Sequence, residues 1–300
     1  MPTLDALLAG RHSVVAAVSQ PDRRRGRGRR TTPSPVSQRA LEAGVPLLRP
    51  ERAGDTQVAQ SLAQHEPDLG VVVAFGQFLP RRIRELPRLG YLINAHASLL
   101  PRLRGAAPIA HSLLEGHAET GISIMRVERE MDAGSVALVR RTPIGPDDDC
   151  GTLSERLATL AAEAVVEALD RAAEGTLSFE AQDPAAVSFA PKLERADQRL
   201  DLREPADALV RRVRAMAPRP GAVVELNGEP IRILRARARH GPADDAPGSA
   251  RIADGGLAIA TGDGWLEPLI LQRAGKRPLA VAAFLRGHNV ADGARFASKG

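Results

Sequence analysis

The run Leu69-Gly70-Val71-Val72-Val73-Ala74-Phe75 sets the fold class. It is apolar throughout rather than alternating, and it has strand length. The expectation is a strand buried on both faces, the kind found inside parallel sheets. Working outward, residues 12–19, 90–96, 122–127 and 136–141 are further strand candidates. Helical patterns lie between them at residues 2–9, 35–43, 55–65, 105–114 and 153–173. Pro2 suits a first-turn position, Gly10 suits a left-handed stop, and Thr152 is available to cap the long helix. Strands separated by helices predict an α/β fold, a mainly parallel sheet with helices on both faces. Residues 21–35 read as a basic loop rich in Gly and Pro.

Beyond Gly175 the pattern stops, and residues 179–203 read as a linker. A helix over 206–215 then leads into short strands. Asn227-Gly228 separates two of them, a strong hairpin signal, and Asp254-Gly255-Gly256 and Gly262-Asp263-Gly264 mark two more turns. Evenly spaced short strands predict a small β-barrel. The expected division is 1–178, a linker at 179–203, and 204–300.

With 300 residues and 43% apolar content, two domains with real cores are affordable. No apolar run is long enough to span a membrane, and the start lacks the features of a secretory signal. The single cysteine, Cys150, excludes an intramolecular disulfide and fits a reducing compartment. No Cys/His cluster has zinc spacing, so no metal is expected. The net charge of +5 and a pI of about 10.2 make an anionic partner plausible. Only Lys192, Lys276 and Lys299 among 41 basic residues are lysines, so part of that balance is an arginine bias. Aromatic content of 3% argues against base stacking as the main mode of RNA binding.

Asn94 and His96 stand two apart in the 90–96 segment, so on a strand they share a face. An Asn amide donates to an oxygen gaining negative charge, and a His does the same or moves a proton. Ligands of open α/β sheets bind beyond the carboxyl ends of strands, where this pair lies. Asp132, in Met131-Asp132-Ala133-Gly134, is a loop carboxylate able to orient an imidazole. The spacing alone does not bring it to His96. An isolated Asn-x-His is common and carries no chemistry by itself. His111 and His117 read as structural or exposed, Cys150 as without a role, and Trp265 as barrel packing.

A longer match decides between these readings. Asn94-Ala95-His96-Ala97-Ser98-Leu99-Leu100-Pro101, then Arg104-Gly105-Ala106-Ala107-Pro108-Ile109, resembles the methionyl-tRNA formyltransferases. So do Ala118-Glu119-Thr120-Gly121-Ile122-Ser123-Ile124-Met125, Met131-Asp132-Ala133-Gly134, Val71-Val72-Val73-Ala74-Phe75-Gly76-Gln77, Ala190-Pro191-Lys192-Leu193 and Leu271-Gln272-Arg273-Ala274-Gly275-Lys276-Arg277. The resemblance covers essentially the whole chain. It implies a Rossmann-like catalytic domain and an OB-like, tRNA-binding C-terminal barrel. It also implies formyl transfer from 10-formyltetrahydrofolate to the methionine amine of initiator methionyl-tRNA, by a cytoplasmic monomer without membrane association. Asn94 and His96 would stabilise the oxyanion, and Asp132 would hold His96 and assist proton transfer. Ser98, Leu99, Leu100 and Pro101 would contact the folate. Phe75, Gly76, Gln77, Phe78 and Leu79 would line the same pocket, with Arg104 near it. Two rivals remain: a related folate-dependent transferase or hydrolase acting on another amine or on water, and a non-catalytic RNA-binding relative.

Arg23, Arg24, Arg25, Arg27, Arg29 and Arg30 fall within eight positions. By composition they are a solvated loop or a phosphate clamp. The resemblance favours the clamp, because a tRNA-contacting insertion lies at this place in the family. On a strand, Arg235, Arg237 and Arg239 would share one face, a second phosphate-contacting surface or a solvated one. The resemblance further implies a first strand and a Gly-Thr-Pro-x-Phe-Ala segment ahead of the helix that matches residues 2–9. Neither is in the sequence. That strand is central, so its neighbours would lack ladder partners. The expectation is a misplaced gene start, or failing that a truncated chain, with residues 1–300 folding poorly or inactive.

Overall fold

The computed structural model describes residues 1–25, 30–243, 245–288 and 290–297. The first half runs α1 (Pro2–Ala9), β1 (Ala17–Val18), β2 (Arg23–Arg25), β3 (Arg30–Thr32), α2 (Pro35–Glu42), β4 (Leu47–Leu48), α3 (Thr56–Ala63) and β5 (Gly70–Val72). It continues through α4 (Arg81–Arg84), β6 (Leu92–His96), α5 (Pro108–Leu114), β7 (Glu119–Arg126), β8 (Val136–Pro143) and α6 (Cys150–Ala173). Two 3-10 turns precede α7 (Ala206–Met216), β9 (Ala222–Leu226), β10 (Glu229–Arg239), β11 (Ala250–Ala253), β12 (Gly256–Ala260), β13 (Trp265–Arg273), β14 (Leu279–Ala280), α8 (Val281–Gly287) and β15 (Phe296–Ala297).

The chain forms two compact units. The first holds residues 1–105, 120–142 and 155–189. Its sheet order is β5-β6-β7-β8, with β5–β6 parallel and β6–β7 antiparallel. β1 and β4 form a separate parallel pair. This is the Rossmann-like arrangement the sequence predicts, with the strand direction reversing after β6. One detail is corrected. The strand buried on both faces is β7, from Thr120 to Met125, and not the 69–75 run. β5 is shorter than that run and half-buried, and Val73 beyond it is 41% exposed. The reason is position: β5 ends its sheet with β6 as its strand neighbour, whereas β7 lies between β6 and β8.

Local chemistry accounts for the ends of the elements. Ser34 caps α2, its Oγ accepting from the Ser37 N–H at 3.0 Å, with Pro35 in the first turn. α6 starts earlier than the sequence reading, because Asp149 rather than Thr152 is its cap. Asp149 Oδ1 accepts from the Thr152 N–H at 2.9 Å and Thr152 Oγ1 accepts from the Asp149 N–H at 3.0 Å. That is a reciprocal capping box. Gly10 does not stop α1 in the left-handed region; its φ is −86° and its N–H bonds Leu7 O. Residues 21–35 are not all loop: β2 and β3 pair antiparallel. The strand expected at 12–19 narrows to β1.

The second unit holds residues 106–119, 143–154 and 190–300. Its sheet runs β11-β12-β13-β10-β9-β15, with β14 on β13. The two ends of that path meet. Phe296 N–H donates to Gly248 O and Ala250 N–H to Ala294 O, both at 2.8 Å, and Ser249 bridges Arg295 antiparallel. The sheet therefore curls into a half-barrel whose two ends meet at this bridge. Asn227 and Gly228, with φ of 52° and 78°, make the β9–β10 turn, as both positions of a type I′ hairpin require. The core inside includes Leu226, Ile231, Ile233, Leu266, Leu271, Phe284 and Phe296. Among the described residues no helix is long and apolar enough to cross a membrane.

Candidate active site

β6 begins with Leu92 and Ile93, both buried, and ends with the polar pair. Asn94 lies opposite Val72 of β5 and Met125 of β7, and His96 opposite Ser123. The apolar start anchors the strand and leaves Asn94 and His96 on one face at its carboxyl end. His96 is 6% exposed. Its Nε2 lies 2.9 Å from Leu103 O, and its Nδ1 lies 3.5 Å from Asp132 Oδ2. A carbonyl only accepts, so Nε2 carries a proton. The other ring nitrogen faces the Asp132 carboxylate. Asp132 Oδ2 also accepts from the Gly105 N–H at 2.9 Å. Asn94 is half-buried, and among the described residues its amide has no hydrogen-bond partner. One donor is open beside an imidazole whose nitrogens are both engaged.

The loops around the pair are built by close contacts. Asp132 has φ +52°, a left-handed backbone for a residue with a side chain. Gly134 completes that turn, since a Cβ there would lie 1.9 Å from Arg126 O. The Ser98 hydroxyl is fully buried and donates to Arg102 O at 2.6 Å. Ser98 O accepts from Ser123 Oγ at 2.7 Å, and the same Oγ accepts from the Leu100 N–H at 3.1 Å. Leu99, Leu100 and Pro101 are half-buried on this loop.

The segment of Phe75, Gly76, Gln77, Phe78 and Leu79 leaves the same end of β5, whose Val72 is level with Asn94. Its side chains have different surroundings. Phe78 is 68% exposed, while Leu79 packs on the cluster of Val58, Ile83 and Leu92. Gln77 accepts from the Ala53 N–H at 2.7 Å and donates to Gln20 Oε1 and Pro50 O, each at 3.3 Å. Arg104 donates to Gln182 Oε1 at 3.0 and 2.8 Å. Of the arginine cluster, Arg23, Arg24 and Arg25 lie on β2 and Arg30 on β3, while Arg27 and Arg29 lie outside the described residues.

Sequence reasoning missed four contributors here: Leu103, Ser123, Gln182 and Ser188. Ser123 had a signal, a polar residue in the apolar Ile122-Ser123-Ile124-Met125. The other three had none. Elsewhere, His117 lies 3.1 Å from Glu115, and burial pushes the Cys150 thiol pKa up, away from reactivity. Trp265 is 1% exposed, with the guanidinium groups of Arg239 and Arg251 at 4.9 and 4.7 Å from its ring. Among the described residues no group of three or more His, Cys, Asp or Glu could hold a metal ion.

Residues 2–169 match the family model for formyl transferase, and residues 192–289 that for the formyl transferase C-terminal domain. The chain is 42% identical over 294 residues to a methionyl-tRNA formyltransferase of Halorhodospira halophila, covering 98% of this chain and 94% of that protein. It is 42% identical over 296 residues to one of Thermus thermophilus, covering 98% and 95%. Its fold is similar to the crystal structure of an N-formyltransferase from Helicobacter canadensis in complex with folinic acid and dTDP-3-aminofucose. The TM-score is 0.66 at 12% identity, covering 89% of this chain and 93% of that one.

Proposed function

The chain belongs to the methionyl-tRNA formyltransferase family, and from that premise we propose that it moves a formyl group from 10-formyltetrahydrofolate to the methionine amine of initiator methionyl-tRNA. The observation that carries the reading is the open Asn94 amide beside a His96 ring held between Leu103 O and Asp132. The amine attacks the formyl carbon, and the carbonyl oxygen becomes an oxyanion. The Asn94 N–H donates to that oxyanion, and the His96 ring held beside it adds to its stabilisation. Asp132 keeps His96 in place and takes part in moving the amine proton. The carbon–nitrogen bond to the folate then breaks, the folate nitrogen takes the proton, and tetrahydrofolate leaves.

In this reading the loop of Ser98, Leu99, Leu100 and Pro101 and the turn of Phe75, Gly76, Gln77, Phe78 and Leu79 flank the folate. Residues 1–178 are the catalytic domain, 179–203 a linker, and 204–300 an OB-like tRNA-binding barrel. The reaction needs no metal, and the enzyme works as a cytoplasmic monomer. Arg23, Arg24, Arg25, Arg27, Arg29 and Arg30 contact tRNA phosphates. An assay with charged initiator tRNA and 10-formyltetrahydrofolate tests the reading. Formylmethionyl-tRNA and tetrahydrofolate should form in equal amounts. Tetrahydrofolate release without tRNA formylation would point to water or another amine as acceptor. Tightly bound tRNA with neither product would point to a non-catalytic relative. Replacing Arg25, Arg27 and Arg29 with Ala should weaken tRNA binding and flatten its salt dependence by about two to three units of slope.

A further inference from the structure

His96 has two anchors, Leu103 O and Asp132 Oδ2. Both belong to residues with a left-handed backbone, φ +59° at Leu103 and +52° at Asp132. Such a conformation persists in a residue with a Cβ only when its surroundings over-determine it. The surroundings are supplied by one stretch of chain, residues 180–188.

At one end, Glu180 and Val136 exchange backbone hydrogen bonds of 2.8 and 2.9 Å, which docks the stretch on β8. Gln182 then puts both N–H groups of its amide on the Asp132 turn. Its Nε2 donates to Asp132 O at 2.8 Å and to Gly134 O at 2.7 Å. Its Oε1 accepts both Arg104 bonds, which fixes the amide orientation; flipped, it would set an NH2 against a guanidinium and an oxygen against two carbonyls. At the other end, Ser188 Oγ accepts from the Leu103 N–H at 3.0 Å, and Ser188 O accepts from the Arg104 N–H at 2.9 Å. One strap therefore holds the residue behind each nitrogen of the imidazole.

We propose that Gln182 and Ser188 are positioning residues for formyl transfer: they set the orientation and proton placement of His96 by pinning Asp132 and Leu103. Neither touches the reacting atoms. The inference rests on the proposed formyl transfer for its kinetic consequence, but the geometry it asserts can be read without turnover.

The test uses the full chain with Gln182→Ala, Gln182→Glu, Ser188→Ala and Ser188→Thr. Glu at 182 keeps an acceptor for Arg104 and turns oxygen on the two carbonyls. The Gln182 variants should lower kcat about 10²-fold, the scale of a small misplacement of a catalytic group. Ser188→Ala should lower it about tenfold, the scale of one hydrogen bond, and Ser188→Thr should restore most of that loss. KM for both substrates should stay within about twofold, because the strap acts on the transition state. In nitrogen-15 spectra the His96 imidazole signals, identified by their absence from His96→Gln, should move in both Gln182 variants. Wild-type kcat together with unmoved imidazole signals would overturn the proposal. So would a loss of kcat, KM and melting temperature in step with unmoved signals, which is what a merely structural strap gives. If the wild-type chain formylates no tRNA, the reading of the reaction fails, and the imidazole signals alone then decide the strap.

Discussion

Two polar regions of this molecule are bonded in opposite ways. Around β6, buried groups are matched nearly one to one: His96 to Leu103 and Asp132, Ser98 to Arg102, Ser123 to Ser98 and Leu100. Along β10 the arginines stand at the surface and share acids. Arg237 and Arg239 meet the same carboxylate, Glu267, at 2.6 and 2.8 Å, and Arg235 meets Asp147 at 2.6 Å. A buried unmatched group costs its full desolvation, whereas exposed ion pairs contribute little and are screened by salt. The first region can therefore hold geometry for chemistry. The second can exchange one anion for another, and its net charge matters more than its detail.

The sharpest way to break the comparison is His96→Ala. Formyl transfer should fall by about 10²–10⁴-fold, the range for losing a proton-transfer or oxyanion group. Binding of charged tRNA, by filter binding or fluorescence, should stay within about twofold. Equal loss of both would mean that His96 organises the fold rather than the reaction. Ser123→Ala probes the same region through the stability of its loop rather than through a reacting group. It strands Ser98 O and the Leu100 N–H together, so urea melts should show a loss of about 1–3 kcal/mol. An unchanged midpoint would mean that water replaces the hydroxyl and that the loop is wetter than its burial implies.

These two regions differ in how legible they are. The sequence does reveal which face of β10 is basic, since strand alternation alone puts Arg235, Arg237 and Arg239 together, and all three are exposed. It does not reveal their acid partners, because Glu267 reaches two of them only through the β10–β13 register, which shifts between Ile233 and Arg235 and again before Ala236. At β6 the polar pair is legible from spacing, and Asn227-Gly228 gives the barrel hairpin from turn chemistry. The Asp132–His96 contact is not legible locally. It depends on a left-handed residue held by Gln182, 50 positions further on in a stretch with no periodicity. The two-faced burial expected of residues 69–75 fails for a related reason: composition describes a strand, and its neighbours in the sheet decide whether it is covered.

Glu267→Gln sharpens the second half of the comparison. It removes the one charge shared by Arg237 and Arg239, and Glu267 is only 17% exposed, so that charge is held close. If this face meets phosphates, tRNA should bind several-fold more tightly, and the salt dependence should steepen by up to about one unit of log K per log of salt concentration. Unchanged affinity and slope would assign the face to solvent.

Asp147→Asn should do the same to Arg235 with a smaller effect. Asp147 is 80% exposed and Arg235 55%, so water and salt already screen most of that pair. Its loss should move the melting free energy by no more than about 0.5 kcal/mol. The gain in tRNA affinity should be less than that of Glu267→Gln and should vanish first as salt is raised. A larger gain than at Glu267 would invert the ranking by exposure. It would mean that position along β10, rather than how closely each arginine is held by its acid, sets which of them a phosphate reaches.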